Sequence, residues 1–184
     1  MQVISSITVN DIGQSFIARS RYHLGEDFLP KIERCLDLLS DEQIWWRANE
    51  RSNSIGNLVL HLCGNARQWI VCGVGDGTDG RDRDAEFAQR DIVRRDELLS
   101  LLKRTISDVD STLARYEPER LLEMRIIQGT ESSALDAILH VVEHFAMHTG
   151  QIIMTTKMLT GSDMEFYEFI NAQPILKWKS EASS

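Results

Sequence analysis

The sequence predicts an all-α fold, and three observations carry that prediction. Only three prolines interrupt 184 residues. The long segments repeat apolar residues at three- and four-residue spacing, the period of one buried helix face, rather than alternating them as a strand does. Glycines and a proline fall where such helices should stop, at Gly73, Gly75, Gly77, Gly80, Pro118 and Gly161. For a chain of this length, one domain over residues 1–184 is the economical expectation.

The first helix is expected from near Gln14 to Leu39, with Phe28, Ile32, Leu36 and Leu39 on one face. Gly25 and Pro30 lie inside it. A proline removes a backbone donor and crowds the preceding turn, so a kink or break is expected near Glu26 to Leu29. Ser40 opens S-D-E-Q, which can cap a short turn before Trp45 and Trp46. A second helix starts at Ser54 as N-cap and runs through IGNLVLHLCGNARQWIVCGV. The stretch GVGDGTDGRDRDAEF then reads as a mobile surface loop, either a solvated crossover or an edge at 76–86 that gates a cleft. The third helix spans about Asp91 to Tyr116, with Ile92, Leu98, Leu99, Leu102, Ile106, Val109 and Leu113 forming its apolar face. After a brief extended piece at MRIIQ, the fourth helix opens near Glu131 or Ser132 and runs to Leu159. The tail carries Phe166, Tyr167, Phe169, Ile170, Pro174, Ile175, Leu176 and Trp178. It is too apolar to stay in solvent and is expected to pack on the bundle or on a partner chain.

Composition narrows the function classes. A net charge of -8 repels a phosphate backbone and no dense Lys/Arg cluster offsets it, which disfavours nucleic acid as partner. No run reaches the ~18 apolar residues of a membrane span, and MQVISSITVNDIGQSF lacks the basic-then-apolar pattern of an export signal. A cytoplasmic protein is expected. Cys35, Cys63 and Cys72 are odd in number and lack C-x-x-C spacing, so they read as small buried hydrophobes.

The chemistry gathers in the second and fourth helices. HVVEHFAMHTGQI sets His140, His144 and His148 at four-residue steps, so neighbours in the series stand one above the other on one face. Gln151 and Thr155 follow on that lane. On the second helix Asn57, His61, Asn65 and Gln68 fall within about 40° of one another around the axis. A histidine alone on an apolar face is more often a hydrogen-bonded core residue than a ligand, and one i, i+4 pair is only moderately specific. Taken together, the two lanes point to one divalent ion held by His61, His144 and His148. Three nitrogens leave coordination positions open for water or substrate, as a catalytic rather than a structural site does. Asn65, Gln68 and Gln151 are placed to orient water or substrate. His140 reads as a wall about 6 Å further along the axis, and Glu143 sits about 100° off the lane. His23 reads as ordinary surface. Cys63 faces away from His61, and Cys72 shares that face about 16 Å along the helix.

These residues carry a family resemblance. SIGNLVLHLCGNARQWI followed by ILHVVEHFAMHTGQI resembles the DinB-like superfamily, in the branch described as a domain of unknown function 1572. The likeness extends to SDEQIWWRANERSNSIGN, the RDRDAEFA stretch and the aromatic tail, and H-x-x-x-H-x-G-Q-I is its most specific part. The resemblance implies an up-down-down-up four-helix bundle, commonly a homodimer, with a three-histidine site for nickel, zinc, iron or manganese. By position the ligands would be His61, His144 and His148. It further implies a low-molecular-weight thiol such as bacillithiol, mycothiol or glutathione, activated by the metal for transfer or isomerisation of a small-molecule substrate. The expected function is therefore a metal-dependent thiol S-transferase. The alternatives are a metal-dependent hydrolase and a non-catalytic dimeric helical protein with a structural metal.

Overall fold

The computed structural model describes residues 8–180, and the reading of the N-terminal start falls in part on residues 1–7, outside them. Helix α1, Val9–Tyr22, begins five residues before the expected Gln14 because Thr8 and Asp11 form a reciprocal cap. The helix continues without a break through a π-helical stretch, His23–Phe28, into α2, Leu29–Asp37. The disturbance expected around Pro30 is this widened stretch rather than a kink. Pro30 has no N–H for the Glu26 carbonyl four residues back, and that carbonyl accepts the Trp178 indole N–H at 3.1 Å. Ser40 and Gln43 cap each other across the short α3, Asp41–Ile44.

Helix α4, Ile55–Ala66, starts on Ser54, whose side chain accepts the Asn57 N–H, and runs into a second π-helical stretch, Arg67–Val74. A short α5, Arg83–Ala88, lies in what the sequence presents as a loop. Helix α6, Arg95–Ala114, starts later than expected. The Trp45 indole donates to the Val93 carbonyl and the Asp41 carboxylate accepts the Arg95 N–H, which hold the preceding residues extended. Ile92 therefore lies outside the helix and is exposed. A 3₁₀ turn, Pro118–Arg120, precedes β1, Met124–Ile127, where the extended piece is expected. β1 pairs antiparallel with β2, Thr130–Ser133, through Gln128 and Gly129, both at positive φ. Glu131 and Ser132 are thus strand residues, and α7, Ala134–Thr160, is capped instead by Ser133. Gly161 ends it in the left-handed conformation at φ 66°.

The buried apolar side chains form a hydrophobic cluster between these rods. Helices α2 and α4 each pack against both α6 and α7. Val59, Leu62, Leu98, Leu102, Ile138, Val141 and Phe145 are sealed from solvent. The largely helical core is as the sequence predicts, but it is not a plain up-down-down-up four-helix bundle. Short helices, two π-helical stretches and two hairpins modify it, the second hairpin pairing β3, Tyr167–Ile170, with β4, Gln173–Leu176, ahead of α8, Lys177–Ser180. The tail packs through Met164, Phe166, Leu176 and Trp178, while Phe169 remains 70% exposed. Among the described residues no helix is long and apolar enough to cross a membrane.

Candidate metal centre

Burial of Leu58, Val59 and Leu62 on α4, and of Val141, Phe145 and Ile152 on α7, fixes how both helices are rotated. That rotation brings His61, His144 and His148 together, with one ligating nitrogen from each within 4.8 Å of the others. His61 Nε2 and His144 Nε2 stand 2.8 Å apart. The His148 ring lies edge-on to both, at centroid distances of 5.3 Å from His61 and 4.5 Å from His144. His61 and His148 are buried and His144 is half-buried.

The remaining ring nitrogens decide which atoms face inward. His61 Nδ1 lies 2.9 Å from Glu86 Oε2, and His148 Nδ1 lies 2.7 Å from Gln151 Oε1. Gln151 accepts the His148 Nδ1 proton, which leaves a lone pair on that ring's Nε2. His61 Nδ1 sits between the Glu86 acceptor and Arg81 Nη2, a donor at 3.0 Å, and only the form with its proton on Nδ1 bonds Glu86 and turns an Nε2 lone pair inward. Burial alone raises the Glu86 carboxyl pKa, but the hydrogen bonds from Arg81 and His61 outweigh it and hold the group below the usual carboxylate range. Glu86 is thus an acceptor at neutral pH. Arg81 locks it with Nε to Oε1 at 2.7 Å and Nη2 to Oε2 at 2.9 Å.

The surroundings of His144 and His148 favour their neutral forms. Burial, then the His148, His61 and His140 rings and Arg81, pushes the His144 imidazole down to about 3. Burial also lowers His148, against the hydrogen bond it donates to Gln151, and lowers His140, against the nearby Glu143 carboxylate. In the metal-free protein the unfolded chain therefore binds more protons than the folded one between the ordinary value of 6.5 and about 3. Stability is expected to fall as pH drops through that window. Urea midpoints from pH 7 to 4 check the sign: they should decline, and less so in His144→Gln, whereas a flat profile contradicts the arrangement.

The other residues singled out in the sequence divide between two settings. Gln151, on the exposed side, steadies His148. Asn65 hydrogen-bonds none of the three rings but donates toward His140 Nε2 at 3.1 Å, and Trp69 packs on that ring at 4.3 Å between centroids. His140 in turn lies 5.4 Å from the His144 ring. Gln68 reaches the cluster only through Arg81, whose Nη1 donates to its Oε1 at 2.9 Å. Glu143 is exposed. His23 is half-buried against Phe28 rather than ordinary surface.

Sequence reasoning missed Arg81, Glu86 and Phe87, which the Gly- and Asp-rich stretch hides. Phe87 lies 4.5 Å from the His61 ring. The available signal was Gly64 inside an otherwise apolar helix, since an interior helical glycine marks close approach. A β-carbon there would fall inside the Glu86 carboxylate. A cavity of about 550 Å³ lies on this side of α4, lined by Leu60, Gly64, Arg67, Gln68, Arg81 and Leu101. No histidine of the cluster lines it.

The donor set fits a divalent ion. Tetrahedral bonds of about 2.0–2.1 Å place imidazole nitrogens roughly 3.4 Å apart, which small side-chain adjustments of this cluster provide. Neutral nitrogen donors with room for further ligands suit several first-row ions.

Comparison with known proteins agrees with the helical core. The model of the family described as "Protein of unknown function (DUF1572)" matches residues 11–171. Similar solved structures include a DinB-like protein from Bacillus cereus ATCC 10987, at 14% identity and a TM-score of 0.61, covering 79% of this chain and 91% of that one. A conserved protein from Enterococcus faecalis aligns at 13% identity and a TM-score of 0.60, over 85% of this chain and 100% of that one. At this identity the likeness is one of fold. Among curated proteins no match is found.

Proposed function

Because this chain belongs to the DUF1572 family, within the DinB-like superfamily, its activity has to be read from its own site, and we propose a metal-dependent enzyme that acts with a low-molecular-weight thiol. The observation that carries this reading is the convergence of three imidazoles, from His61, His144 and His148, on one point between α4 and α7. The ion would be nickel, zinc, iron or manganese. Bound there, it supplies a Lewis-acid charge that lowers the pKa of a coordinated thiol or water.

The chain's own thiols do not serve as the nucleophile. Burial pushes Cys63 up to about 12 and Cys35 up to about 11, so both are protonated at neutral pH. Cys72 donates to the Thr78 carbonyl, in the wall of the separate cavity. A thiolate at the centre would therefore come from a small molecule. Gln151 holds the His148 ring toward the centre, and Glu86 does the same for His61. His140 lies beside His144 and is itself held by Asn65 and Trp69.

We also carry a homodimer as part of this reading. Met147, Met154 and Met158 expose an apolar face on α7, which a second copy would cover.

Turnover tests the thiol assignment. Metal-loaded protein is expected to consume an electrophilic probe with one of bacillithiol, mycothiol or glutathione, and His148→Ala is expected to lose that activity. Hydrolysis of an ester probe without any thiol would instead favour the hydrolase. No reaction of either kind in protein with a full complement of metal would leave a structural ion.

A further inference from the structure

The polar lane on α4 has a second occupant. Asn57 Nδ2 donates to the Glu86 carbonyl at 2.8 Å and the Gln89 carbonyl at 3.2 Å. His61 meets the Glu86 carboxylate, and Gln68 joins Arg81 and Asp79 at 2.9 Å and 2.7 Å. One segment, 79–89, is thus fastened along α4 by polar contacts. The Arg81 and Glu86 side chains are only 4% and 11% exposed. Taking two charges out of water is costly unless each is fully hydrogen-bonded. Here the two bond each other through both Glu86 oxygens while each also reaches His61 Nδ1, Arg81 at 3.0 Å and Glu86 at 2.9 Å. Helix α5 has no fully buried residue and the 550 Å³ cavity lies along the segment, so apart from Phe87 against the His61 ring it is polar contacts that keep it in place.

We propose that Glu86, clamped by Arg81, is a positioning residue of the metal centre, and that docking of segment 79–89 and ion binding at His61 reinforce each other. The inference rests on the metal reading above. An ionised carboxylate fixes His61 with its proton on Nδ1 and its lone pair on Nε2, and it raises the basicity of that ring toward an ion. Reciprocally, an ion on Nε2 holds His61 in the form that donates to Glu86, and so holds the segment closed.

Two variants separate this role from a folding role. Glu86→Ala removes the carboxylate. Gly64→Ala displaces it without changing it, because the new methyl group occupies the place of the flexible carboxylate end. Zinc affinity, read by competition with a chromogenic chelator, is expected to fall about 10- to 100-fold in both, with much of it restored in Glu86→Gln, which keeps an acceptor. Hydrogen exchange supplies a readout independent of affinity. Zinc should slow exchange across 79–89 in the wild type and not in Glu86→Ala. Wild-type affinity in both alanine variants, or exchange across 79–89 indifferent to zinc, overturns this inference alone. A wild type that takes up no zinc overturns the metal reading and this inference with it.

Discussion

Replacing His144 with alanine is expected to weaken divalent-ion binding by roughly two to three orders of magnitude. Apparent zinc affinities near 10–16 kcal/mol, shared over four ligands, give about 2.5–4 kcal/mol for each, and about 1.4 kcal/mol is tenfold. His144 is the ring that faces both partners, with its Nε2 at 2.8 Å from His61 Nε2 and its centroid 4.5 Å from His148. His140 one turn earlier is the internal control, since it is occupied by Asn65 and Trp69. Its alanine variant is expected to lose less than about tenfold. Equal losses in the two variants would place the ion elsewhere on the histidine lane, and no loss in either would remove it from that lane.

Phe145→Ala is expected to have the largest effect on stability, about 3–5 kcal/mol. For a chain of this size that corresponds to a fall in Tm of roughly 6–20 °C. Phe145 is fully buried in the hydrophobic cluster, between His144 and His148 in sequence. Its burial sets the rotation of α7 that turns those two rings toward α4, where His61 lies. Phe145→Leu, which refills most of the volume, should recover much of the loss. Thermal unfolding of the metal-free variants measures this separately from ion binding. A drop of less than about 1 kcal/mol in Phe145→Ala would mean that α7 is not seated as described, and the histidine face would have to be reassigned.

Local, periodic features of this protein are legible in its sequence. The i, i+4 spacing of His144 and His148, the polar lane holding His61, and the Ser54 cap each depend on residues within one or two helical turns. Elements decided by tertiary contacts are not. The late start of α6 depends on Asp41 and Trp45, roughly fifty residues away. The hairpin before α7 depends on Gln128 adopting φ 55° ahead of Gly129, and the polar Thr130–Ser133 gives no alternating strand signal. Arg81 and Glu86 sit in a segment whose charges suggest solvent, and only their mutual pairing beside His61 makes burial tolerable. The one local trace of that burial is a glycine on the facing helix.

X-ray absorption at the metal edge, on protein loaded with zinc and freed of excess ion, is the most direct probe of the centre. The account predicts one ion per chain, with imidazole scattering from three rings at about 2.0–2.1 Å and lighter ligands completing the shell. A shell with one imidazole or none, or one that is unchanged when His61, His144 and His148 are replaced together, would contradict it.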